Sequence, residues 1–146
     1  MSNEQRRKGL RPLTHYNENC VNQKFMNDSI VFTKSKRFSI RIIRLYSYLK
    51  DNFQEYTMSK QLLRCGTSIG ANIAEAEYAI SKKDFHSKMH IALKESAETL
   101  YWLEILYETG FLTDSQFNSL NSDCLDLLRL LTAITKKSKP DDINSG

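Results

Sequence analysis

The chain of 146 residues is 40% hydrophobic and 26% charged, enough apolar material for one packed core and too much for wholesale disorder. Five glycines and two prolines, with Pro12 and Pro140 near the two ends, exclude collagen-like and Pro-rich classes and argue against a turn-dense all-β domain. The net charge of +4 is unevenly spread: residues 1–66 carry 13 Lys/Arg against 5 Asp/Glu, and residues 67–146 carry 8 against 12. That asymmetry has two readings: an acidic partner, usually nucleic acid, or neutralisation of one half by the other within the fold or across an oligomer.

Residues 1–26 show no clear hydrophobic period and read as a flexible arm, with Arg6, Arg7, Lys8 and Arg11 clustered ahead of Pro12. The arm lacks the apolar stretch of a secretory signal, and no run of about 18 apolar residues is available for a membrane span. Cys20, Cys65 and Cys124 are scattered and form no C-x-x-C pair. Free thiols in a reducing cytoplasm are therefore expected, not a disulfide framework or a zinc ribbon. Residues 27–138 read as one helical domain and 139–146 as a tail.

The first predicted helix covers roughly 28–51, capped by Asp28, with a buried stripe of Val31, Ser35, Phe38, Ile42, Leu45 and Leu49. The second covers roughly 59–79, with Ser59 as cap and Leu62, Ile69, Ile73 and Ala76 on one face. Gly66, Gly70 and Ala74 form a second row at a spacing of four, which predicts close approach of another backbone. The third covers roughly 82–109: Ser81 and Asp84 form a variant capping box, Ile80 and Phe85 a hydrophobic staple, and Gly110 the stop. Its expected core stripe is Phe85, Met89, Ala92, Leu93, Ser96, Leu100, Leu103 and Tyr107. The fourth starts at a Thr113/Gln116 capping box with a Leu112/Phe117 staple and runs along Phe117, Leu120, Cys124, Leu127, Leu131 and Ile134. Short connections favour antiparallel neighbours, so the expected fold is an all-α, up-down antiparallel four-helix bundle.

Catalytic patterns are sparse. None of His15, His86 or His90 follows a Glu by three residues, which argues against a di-iron bundle. His86 and His90 stand at zinc-compatible spacing, but no third ligand is evident. No Walker loop, nucleophile elbow or dinucleotide fingerprint occurs. Asn72 reads as an interhelical hydrogen-bonding residue and Glu75 as solvent-facing, without a partner acid or base. No enzyme activity, cofactor or metal is expected.

Two surface stripes stand out. Lys34, Arg37, Arg41, Arg44 and Tyr48, spaced by three and four, line one side of the first helix away from its core stripe, with no acid interrupting. Four cations in line can follow a phosphate backbone and the tyrosine can stack on a base; a solvated helix face is the plainer alternative. On the third helix, Ile91, Trp102 and Ile105 form a second apolar stripe with Glu95 and Glu98. Three apolar residues on one face, including the only tryptophan, mark an oligomer interface. The two acids are available there to a neighbour's basic first helix.

Residues 66–112 resemble the bacterial four-helix-bundle family of rRNA intervening-sequence proteins. The resemblance rests on Ser68-Ile69, Ala71-Asn72-Ile73-Ala74-Glu75-Ala76, Ser81, Asp84-Phe85, Ile91-Ala92-Leu93-Lys94-Glu95-Ser96 and Glu98, and extends over about 28–135. Ala76 stands where the family usually has glycine, and the arm over 1–26 lies outside the match. The family looks related to the accessory variability determinant of diversity-generating retroelements. The resemblance implies a homo-oligomer, five-fold in the family, without enzymatic activity. For the retroelement relatives it implies binding of nucleic acid and of a reverse transcriptase.

Overall fold

The computed structural model describes residues 29–141 and folds them into four helices: α1 (Ile30–Phe53), α2 (Met58–Ala76), α3 (Lys82–Glu108) and α4 (Asp114–Ser138). The expected arm over 1–26 with its basic cluster, His15, Cys20 and the capping role given to Asp28 lie outside the described residues, as does the tail beyond 141.

Local chemistry sets the helix ends. Ser29 caps α1, its hydroxyl accepting the Phe32 N–H at 3.4 Å. α2 starts one residue ahead of Ser59 because Glu55 supplies the cap. Its carboxylate accepts the N–H groups of Thr57 (3.0 Å), Met58 (2.9 Å) and Ser59 (2.7 Å). Burial opposes the charged form of Glu55, but these donors outweigh it and hold the carboxyl below its ordinary value. α2 stops at Ala76 instead of 79 because the N–H groups of Tyr78 and Ala79 close tighter turns onto the Glu75 and Ala76 carbonyls.

At the start of α3, the Ser81 hydroxyl accepts the Asp84 N–H as expected. Asp84 reaches back to the N–H of Ile80, and Ile80 is 94% exposed. The expected Ile80/Phe85 staple is therefore not formed. α3 ends in a Schellman motif: Gly110 sits at φ +86°, with Phe111 N–H on Leu106 and Gly110 N–H on Tyr107. The Thr113/Gln116 capping box opens α4 with both hydrogen bonds in place, and Leu112 and Phe117 both join the core.

Cross-helix contacts show the topology. Along α2 and α3, Arg64 meets Glu95 and Glu98, and Glu75 meets Lys88, so partners run in opposite order. The same reversal relates α3 to α4 through Ser96–Cys124 and His86–Ser138, and α1 to α4 through Lys34–Asp126 and Arg41–Asp123. The bundle is up-down and antiparallel, closed by a thinner seam between α1 and α4.

All six residues of the expected α1 stripe are buried, and Leu62, Ile69, Ile73 and Ala76 bury the face of α2. The small-residue row has a steric cause. A Cβ on Gly66 would lie 2.9 Å from both Cγ1 and Cγ2 of Ile42, and one on Gly70 would lie 3.3 Å from the hydroxyls of Ser35 and Ser39. Alanine gains about 1 kcal/mol of helix propensity over glycine. Ile42 is fully enclosed and cannot yield. Gly66→Ala is therefore expected to destabilise by about 1–3 kcal/mol, read by urea denaturation; a rise in stability would contradict this packing.

The α3 stripe is corrected by the structure. Its buried line is Met89, Ala92, Ser96, Thr99, Leu103 and Leu106, spaced by three and four. Phe85, Leu93, Leu100 and Tyr107 are half-buried, packed against the core from one flank. α3 packs extensively on both α2 and α4, so its buried face bisects the two. Thr99 and Ser96 are admitted because each hydroxyl donates to its own helix, to the Glu95 carbonyl at 2.7 Å and the Leu93 carbonyl at 2.6 Å.

Candidate nucleic-acid interface

The basic stripe of α1 lies on the flank beside α4, not on the outermost face. Helical geometry puts Lys34, Arg37, Arg41, Arg44 and Tyr48 to one side of the buried stripe, and antiparallel closure brings α4 against that side. Arg41 is anchored across the seam: it pairs with Asp123 and donates to the Ser119 hydroxyl at 2.8 Å. Lys34 stands 3.7 Å from Asp126. These acids were not foreseen as partners; their i, i+3 spacing on α4 was the available signal.

Arg37 and Arg44 are exposed and have no carboxylate partner among the described residues. Arg129 of α4, also exposed, stands 3.7 Å from Asp126 and adds a cation to the same seam. Five cations thus meet two carboxylates along α1 and α4. Exposed ion pairs of this kind contribute about 0–1 kcal/mol each, so they leave the face cationic without rigidly locking it. Tyr48 is partly engaged: its ring meets Phe53 edge-on at 5.8 Å, and Phe53 meets Phe111 at 5.5 Å.

The second stripe is half-withdrawn. Ile91 is 39% exposed, while Trp102 and Ile105 are half-buried. Trp102 donates its indole N–H to Glu98 at 3.4 Å and meets exposed Tyr101 edge-on. Glu95 and Glu98, expected to be available to a neighbour, are held within the chain by Arg64. The Arg64 hydrogen bond keeps the Glu98 carboxyl below the usual carboxylate range.

The remaining sequence candidates settle into local roles. Asn72 donates to the Ser68 carbonyl of its own helix at 2.8 Å, not across helices. Glu75, read as partnerless, accepts from Lys88 at 2.7 Å. His86 and His90 stack at 6.0 Å, and among the described residues no group of three His, Cys, Asp or Glu is placed to hold a metal ion. Cys65 and Cys124 are buried free thiols; burial pushes Cys65 up and Cys124 up to about 12, so both stay protonated at neutral pH. Among the described residues no helix is long and apolar enough to cross a membrane.

Comparison with known proteins decides the family. The sequence model of the 23S rRNA-intervening sequence protein matches residues 27–133. The chain belongs to the 23S rRNA-intervening sequence protein family. A solved structure agrees: a protein with unknown function from the S23 ribosomal protein family of Bacteroides thetaiotaomicron, determined at 1.70 Å resolution. It is 50% identical, covers 73% of this chain and 99% of its own, and superposes with a TM-score of 0.73. No curated protein matches. The family match spans nearly the whole bundle, so the α1 flank and the α3 stripe both lie within it, whereas residues 1–26 lie outside it. Neither description names a reaction.

Proposed function

We propose that this member of the 23S rRNA-intervening sequence family is a non-enzymatic, homo-oligomeric bundle of the cytoplasm that binds nucleic acid along the α1 flank. The observation that carries the reading is the exposed pair Arg37 and Arg44, without carboxylate partners among the described residues, on a seam with surplus positive charge. Spacing by whole helical turns lets such cations meet successive phosphates. In an electrophoretic shift assay the chain should retard single-stranded RNA or DNA at low salt; a chain that retards neither contradicts the reading. A bundle that serves only protein contacts is the alternative, favoured by the pairing of Lys34 and Arg41 with α4. A reverse transcriptase partner follows only from the family's retroelement relation.

Self-association is drawn from the α3 stripe, where Ile91 and Trp102 share one line with Tyr101 alongside. Five copies is the number the family resemblance supplies. Ile91→Lys removes nothing from the core, and Trp102→Lys places a cation beside Glu98. Each is expected to yield a folded species of lower mass by light scattering after size-exclusion chromatography. A monomeric parent at micromolar concentration, or variants that keep the parent's mass, would contradict this interface.

A further inference from the structure

We propose that the cleft where α3 begins and α4 ends binds a nucleotide, either free or as the phosphorylated terminal unit of a strand. The cleft has a volume of about 330 Å³ and is lined by Lys82, Lys137 and Lys139, with Phe85 and Pro140 as an apolar wall. Ser138 and Asp141 complete the lining. Small-molecule sites run from about 300 to 1,000 Å³, so this one has room for a single nucleotide. Among the described residues three lysines line the cleft against one carboxylate, a balance that favours a phosphate, and an aromatic wall beside them suits a base.

Three further observations converge here. None of the three lysines has a carboxylate partner among the described residues. Lys82 occupies the first turn of α3, where the helix dipole disfavours a cation, so helix stability does not account for it. His86 Nδ1 lies 3.1 Å from the Ser138 hydroxyl, tying the two walls together before any ligand arrives. The α3 N-terminus is itself capped by Ser81, so the lysine side chains, not the helix end, make the site.

The cleft shares no lining residue with the exposed α1 arginines, so the two readings stand or fall separately. The test is fluorescence anisotropy of a labelled adenine nucleotide on the full chain, competed by AMP, adenosine, inorganic phosphate and a 5′-phosphorylated oligonucleotide. AMP should displace the probe, with adenosine and inorganic phosphate each about tenfold weaker. Lys82→Gln/Lys137→Gln/Lys139→Gln should bind the probe about tenfold more weakly with an unchanged circular dichroism spectrum. Arg37→Glu/Arg44→Glu should bind it as the parent does. Displacement by the phosphorylated strand as well as AMP assigns the strand end; displacement by AMP alone assigns a free nucleotide, and both uphold the site. No probe binding, full competition by inorganic phosphate, or parent-like binding by the lysine variant overturns it. A parent that retards no strand while still binding the nucleotide would overturn the α1 reading alone.

Discussion

Reversing Arg37 and Arg44 together to glutamate is expected to abolish nucleic-acid retardation while the bundle stays folded. Both side chains are exposed and neither forms an ion pair among the described residues, so the fold loses no salt bridge. The double reversal changes the face by four units of charge. At about 4 Å from a phosphate in water that is on the order of 4 kcal/mol before salt screening, a hundred- to thousandfold in affinity. Arg41 is left alone because it ties α1 to Asp123 and Ser119, and its loss would mix binding with loosening of the seam. Undiminished retardation by the folded double variant would move the interface off α1.

Leu103→Ala is expected to cost about 2–5 kcal/mol, because the side chain is enclosed on every side and its removal leaves a cavity. Leu100→Ala, three residues away on the half-buried flank, should cost less, since the site can collapse and water reaches it. Equilibrium urea unfolding of the two variants reads the difference. Equal losses would mean that the buried face of α3 is centred elsewhere. The contrast matters for the surface, since the same rotation decides how far Trp102 is withdrawn from solvent.

The fold was legible where one periodicity acted alone. On α1 the buried residues recur at every third or fourth position, Ser35 included, because its hydroxyl returns to the Phe32 carbonyl at 2.8 Å and asks nothing of the core. On α3 two neighbours compete for the helix, and apolar residues flank the buried line on both sides, so hydrophobicity alone did not centre it. Thr99 and Leu106 were missed for that reason, the first because its polar label hides a methyl and a self-satisfied hydroxyl. The Gly66/Gly70 row was readable because glycine within a helix is a cost that only close packing offsets. The candidate site was half legible: the cations of α1 were visible in sequence, but not the acids that α4 sets against Lys34 and Arg41. Those pairings depend on which helix closes the bundle, and single-helix periodicity carries no such information. The Glu95/Glu98 partner was likewise hidden, since Arg64 belongs to the helix before them.

The salt dependence of strand binding tests the central claim most directly. Each phosphate neutralised contributes about 0.7 to the log–log slope for a single strand and about 0.9 for a duplex. The parent should bind with a steep negative slope, and Arg37→Gln/Arg44→Gln should reduce its magnitude by about 1.4–1.8 per bound subunit. A slope near zero in the parent, or one unchanged in the double variant, would contradict the assignment of the α1 flank to nucleic acid.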